Sequence, residues 1–140
     1  MDTQATGTGR TRLQVTLVPI PQSVHIARVF VRHQLLSLRY ADLIEDACTI
    51  ASELVTNAVR ATKSSPLQTQ GRIELYLGPH RGRMLLEVWD PAPWMPTFEE
   101  PDYEAESGRG LHIVRQLAAE LGWEEDKERG GKTVWALLGQ

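Results

Sequence analysis

The sequence predicts an α+β two-layer sandwich with a mixed, mostly antiparallel sheet, and three observations point there. Segments around residues 13–17, 73–77, 84–88 and 133–138 alternate apolar and polar side chains, the period of a half-buried strand. Residues 23–38, 42–62 and those from 110 onward repeat apolar side chains at three- and four-residue intervals, the period of a helix with one buried face. In chain order these segments read β-α-α-β-β-loop-α-β-β, which segregates helices from a sheet of hairpins instead of alternating them.

Each element has its own local reasons. Residues 1–10, MDTQATGTGR, carry no periodic apolar side chains and predict a disordered tail, so that residues 11–140 form one domain. Leu13, Val15 and Leu17 make a first strand stopped by Pro19 and Pro21. Ser23 offers an N-cap to a helix running to about Leu38, with Val24, Ala27, Val31 and Leu35 on one face. Asp42 and Glu45 have capping-box spacing ahead of a second helix, whose stripe Leu43, Ala47, Ile50, Leu54 and Ala58 ends near Thr62. The polar run KSSPLQTQG leads into a hairpin. Its strands carry Ile73, Leu75 and Leu77, then Met84, Leu86 and Val88, with Gly78 to Gly82 as the turn. Residues 90–109 lack periodicity and are rich in Pro and acidic side chains, as lids and disordered segments are. A third helix begins near Gly110 with Leu111, Val114, Leu117, Ala118 and Leu121 inward. A short strand around Trp123 and a last one from Thr133 to Leu138 flank a turn at Glu128 to Gly131.

Composition narrows the function classes. The chain has 140 residues, 41% apolar and 24% charged, enough for one ordinary core, and a net charge of −3 that draws it to neither nucleic acid nor an anionic membrane. The lone Cys48 lies in a helical pattern and reads as a small buried apolar side chain, not as a disulfide or metal ligand. No signal-peptide pattern or membrane-length apolar run is present, so a cytoplasmic location is expected.

Four places could carry chemistry. Glu53 and Asn57 lie i and i+4 on the second helix and project from one face, at the border of its apolar stripe. A carboxylate and an amide oxygen there suit a hard cation such as Mg²⁺, while the plain alternative is a solvated pair. Ser107-Gly-Arg-Gly110 places glycines directly before a helix, where backbone N–H groups and the helix dipole favour phosphate; a hinge is the alternative. Arg109 between them is available for a charge-assisted contact or for solvent. Asp90 ends a strand and is followed by Pro91, so it is a turn residue or a carboxylate that accepts a hydrogen bond from an exocyclic amine. In Gly130-Gly-Lys-Thr133 the glycines suit a hairpin turn, and Thr133 opens the last strand, available to support Asp90 or a base-bound water.

Taken in order, E-x-x-x-N-A on a helix, a strand ending in Asp, a lid closing on Gly-x-Gly before a helix, and a last strand opening after Gly-x-Thr resemble the GHKL (Bergerat) ATP-binding fold. That superfamily includes the histidine-kinase catalytic domain, the DNA gyrase ATPase domain and the small serine-protein kinase anti-sigma factors. The resemblance spans about Leu13 to Leu138, and ELVTNAV with SGRGLHIVRQLA is closest to the anti-sigma type. It implies ATP and Mg²⁺ as cofactors. Glu53 would be the general base, Asn57 the metal ligand and Asp90 the reader of the adenine amine. Gly108, Arg109, Gly110 and Leu111 would surround the phosphates, and Thr133 would sit near Asp90. It further implies phosphorylation of a serine on a STAS-domain antagonist, sequestration of a sigma factor, and a homodimer as an allowed state. The alternative within the same fold is a partner-switching binding module without kinase activity.

The chain departs from the family pattern twice. Where the Asp box usually reads D-x-G-x-G, Asp90 is followed by Pro91, Ala92, Pro93 and Trp94, and proline lacks an N–H and fixes φ. After Asn57-Ala58, where His-Gly or His-Ala is common, the chain has Arg60-Ala-Thr62.

Overall fold

The computed structural model describes residues 12–64, 71–93 and 110–139. The tail at 1–10, the middle of the polar loop before the hairpin, and most of the 90–109 segment lie outside the described residues. Five strands, β1 (Leu13–Leu17), β2 (Ile73–His80), β3 (Arg83–Asp90), β4 (Glu120–Glu125) and β5 (Lys132–Leu138), form one sheet in the order β1-β2-β3-β5-β4. Every neighbouring pair runs antiparallel, so the expected parallel component of a mixed sheet is absent from the described strands. Three helices, α1 (Ser23–Ser37), α2 (Ile44–Ser64) and α3 (Gly110–Leu117), cover one face of that sheet. The α+β two-layer sandwich is therefore the architecture observed.

The core forms where the two periodicities meet. Leu75 and Leu77 of β2, Met84, Leu86 and Val88 of β3, and Val134, Ala136 and Leu138 of β5 point toward the helices. Against them α2 sets Ala47, Ile50, Ala51, Leu54, Val55 and Ala58, and α1 sets Ala27, Val31 and Leu35. Each fully buried Leu or Ile contributes roughly 1.5–3 kcal/mol relative to exposure. Because α2 packs on α1, on α3 and on the sheet, its polar edge is held rigidly. Cys48 is buried within the same helix.

Four local details differ from the sequence expectation. Ser23 is the first residue of α1 and not its cap; Gln22 takes the cap position without a side-chain bond, and the Ser23 hydroxyl donates to the Val18 carbonyl at 2.7 Å. The chain enters α2 through a 3-10 turn at Ala41–Leu43, so Asp42 and Glu45 fall on opposite sides of a helix boundary instead of closing one capping box. In the hairpin, β2 runs on to His80 and the turn is only Arg81-Gly82, with φ of 53° and 79° at its two residues. That left-handed pair matches the right-handed twist of the flanking strands. Finally, α3 is short: Leu111 and Val114 are buried, Leu117 is exposed, and Leu121 reaches the core from β4.

Among the described residues, the sheet's other face bears no helix and carries a polar and aromatic layer. Trp89 is only 3% exposed because the guanidinium groups of Arg72 and Arg129 lie over its ring, at 5.1 and 4.3 Å from the centroid. Its Nε1 donates to the Gly130 carbonyl at 3.0 Å. Glu74, across β2 from Trp89, accepts hydrogen bonds from Arg72, Arg129 and Tyr76. This cluster ties the β4–β5 turn to the end of β3.

Burial works against ionising Glu74, but hydrogen bonds from Tyr76, Arg72 and Arg129 outweigh it and hold the carboxyl below its ordinary value. A depressed folded-state pKa means that stabilisation is complete above the unfolded value and is lost as pH falls through the folded one. Glu74→Gln is therefore expected to cost stability at neutral pH and nothing in acid. Denaturant melts of both proteins across a pH series should converge at the acidic end; parallel curves would show that Glu74 carries no such linkage.

Candidate functional site

The site grows from the polar edge of α2. Glu53 and Asn57 are half-buried, one helical turn apart, beside the buried Leu54, Val55 and Ala58. Packing of α2 against α3 brings Glu53 to the first residue of α3. A Cβ added at Gly110 would lie 2.7 Å from Glu53 Oε1 and 3.7 Å from its Cβ and Cδ. Glycine is thus the residue that lets this carboxylate reach the start of α3, where free backbone N–H groups and the helix dipole favour negative charge. Leu111 buries its side chain in the core at 5% exposure, which leaves its backbone N–H as the group available to an anion. Gly108 and Arg109 lie outside the described residues.

Asp90 is the last residue of β3. Its carboxylate Oδ1 accepts the Ala92 N–H at 2.9 Å, an Asx turn that explains why the strand stops where it does. The same oxygen receives the Lys132 ammonium at 2.9 Å, and both side chains are 1% exposed. Asp90 is thus both turn-forming and deeply enclosed. Burial pushes its carboxyl up from the ordinary value; the Lys132 charge, the Lys132 hydrogen bond and the Ala92 N–H act in the other direction.

Register explains the partner. Asp90 pairs with Lys132 and Trp89 with Thr133. Successive strand residues face opposite sides, so Lys132 shares the helix-facing side with Asp90 while Thr133 faces away with Trp89 and Trp135. Thr133, expected near Asp90, is one position along β5 from the residue that pairs with Asp90. In the sequence Lys132 follows two glycines and reads as turn. Its signal is alternation, since Lys132, Val134, Ala136 and Leu138 form one inward row. Gly131 makes the approach of β5 to Asp90 feasible, with φ of 76° and a virtual Cβ only 2.0 Å from the Asp90 carbonyl oxygen.

The donor set fits a nucleotide with its cation. Glu53 and the Asn57 amide supply hard oxygens, and Glu53 lies beside a helix start whose backbone N–H groups favour an anion. Among the described residues there is no group of three or more His, Cys, Asp or Glu that could hold a metal unaided, so an ion here would share phosphate and water oxygens. Among the described residues, no helix is long and apolar enough to cross a membrane.

A comparison with curated proteins finds no match. A family model described as the histidine kinase-like ATPase domain matches residues 17–138. That span begins at the last residue of β1 and ends with β5, taking in α2 with Glu53, the Asp90 strand end and the Gly110 helix start. The chain belongs to the histidine kinase-like ATPase family.

Proposed function

We propose that the chain is an ATP-binding regulatory protein of the serine-protein kinase anti-sigma type, which phosphorylates a STAS-domain antagonist and, in another state, holds a sigma factor. The observation that carries this reading is the meeting of Glu53 with the glycine start of α3. Phosphoryl transfer asks a protein mainly for positioning and charge neutralisation, with a base to take the proton of the attacking hydroxyl. Glu53 is set to take that proton from a partner serine. Asn57 would hold Mg²⁺, the backbone of Gly110 and Leu111 would meet phosphate oxygens, and Asp90 would accept the adenine amine. When bound, the cation neutralises charge on the phosphates. Apolar side chains exposed on and before α1, namely Val18, Ile20, Ile26, Val29 and Leu36, offer a docking face for such partners or for a second copy of the chain.

The test is transfer of labelled phosphate from ATP to candidate STAS proteins in the presence of Mg²⁺. Asn57→Ala is expected to abolish Mg²⁺-dependent nucleotide binding. Glu53→Ala should spare binding and slow transfer by on the order of 10²–10⁴-fold. Mutants indistinguishable from wild type in both assays would remove these two residues from the site.

A second reading, a partner-switching module without kinase activity, is favoured by the enclosure of Asp90 and by the prolines that follow it. Calorimetry with ATP and ADP separates the two, because a kinase must bind ATP at useful affinity. Nucleotide binding with no labelled partner would leave the binding module.

A further inference from the structure

We propose that Lys132 is a positioning residue for purine recognition: its ammonium fixes the Asp90 carboxylate as an acceptor for a 6-amino group, so that the site prefers adenine to 6-oxo purine nucleotides. This rests on the nucleotide reading above.

The geometry carries it. Asp90 and Lys132 are register partners on adjacent strands, and Nζ meets Oδ1 at 2.9 Å. Lys132 is among the largest fully buried side chains, at the head of a row that continues as Val134, Ala136 and Leu138. An apolar residue would extend that row, and buried ion pairs are a poor source of stability compared with apolar packing. A lysine here therefore asks for another role. The Ala92 N–H falls on the same oxygen as the ammonium, so two donors fix the orientation of the carboxylate.

Lys132 supplies the charge that opposes protonation of Asp90, with the Ala92 N–H acting in the same direction. Among the described residues Lys132 is the cation in contact with it. Glu125, the next position in the row on β4, is exposed. On α2, Glu53 lies at Gly110 and Arg60 is exposed, and Arg115 of α3 is exposed. Burial drives the Asp90 carboxyl toward protonation and the ammonium opposes it. A protonated carboxyl gains a donor, which suits a 6-oxo group, and is a weaker acceptor for an amine than the carboxylate.

Competition binding of ATP against inosine triphosphate, from neutral to alkaline pH, tests this. Wild type should prefer ATP throughout. Lys132→Met is expected to lose about tenfold in ATP affinity at neutral pH, to regain it as pH rises, and to keep inosine triphosphate within about twofold. Lys132→Arg, which retains the charge, should restore the ATP preference. A folded Lys132→Met that loses both nucleotides equally, that loses ATP by a pH-independent amount, or that keeps the wild-type preference overturns the proposal. Should the variant not fold, the side-chain carboxyl carbon of Asp90, observed by NMR in the wild-type chain, decides. It is expected ionised at neutral pH, and a protonated signal overturns the proposal. Wild type binding neither nucleotide overturns the nucleotide reading and this proposal together, whereas wild-type ATP binding with an unaltered variant overturns this proposal alone.

Discussion

Gly131→Ala is expected to destabilise the fold by about 3 kcal/mol or more and to take nucleotide affinity down with it. Two effects add at this position. The backbone has φ of 76°, a left-handed conformation that costs an L side chain roughly 1–2 kcal/mol. The new Cβ would also lie 2.0 Å from the Asp90 carbonyl oxygen and 2.8 Å from Pro91 Cα, and both obstacles are backbone. No rotamer change can relieve that contact, so β5 must move away from the end of β3, which carries Lys132 away from Asp90. Gly130→Ala is the internal control, because its φ of 82° is comparable while nothing lies within 4 Å of the added Cβ. It should lose only the conformational part, about 1–2 kcal/mol. Denaturant unfolding of both variants reads the difference, and equal losses would mean that the close approach at Gly131 is not energetically significant.

Much of this architecture was legible because periodicity is a local property. The alternation at Leu13, Val15 and Leu17 and the three- and four-residue spacing from Ala47 to Ala58 each follow from which side of one element must be buried. The E-x-x-x-N arrangement is local as well, since a helix places Glu53 and Asn57 together whatever surrounds it. What escaped was set by contacts between distant elements. The residue directly across from Asp90 is Lys132 and not Thr133, which pairs with Trp89, and in a strand one residue exchanges the two faces of the sheet. Lys132 is paired with a carboxylate 42 positions earlier in the chain, and lysine is rarely enclosed, so no local pattern marks it as buried. The clamp of Arg72 and Arg129 on Trp89 brings a strand, the residue before another strand and a turn together, and none of the three carries a motif. Leu121 shows the converse problem, because its spacing continues the stripe of α3 while the chain has already turned into β4. The approach of Glu53 to Gly110 likewise depends on how α2 packs against α3, although each residue stands out in the sequence for its own reasons.

Asp90→Ala is expected to cost roughly 3–5 kcal/mol, more than the loss of a turn aspartate would, because it strands the Lys132 ammonium in an enclosed site. The pair is 1% exposed on both sides, so solvent is a poor replacement for the missing carboxylate. Replacing both partners tests whether the stranded charge is the cause. Asp90→Leu combined with Lys132→Met extends the apolar row formed by Val88 with Val134 and Leu86 with Ala136. That double variant should recover most of the loss, the remainder of about 1–3 kcal/mol being the Ala92 N–H left without its acceptor. Thermal melts of wild type, single and double variants decide it, and a double variant no more stable than Asp90→Ala would show that the charge was never the cost. Nucleotide binding should be lost in both variants. A double variant that is stable and fails to bind ATP would separate what this pair does for the site from what it does for the fold, since apolar residues can do the second at these positions, whereas accepting an amine requires a carboxylate.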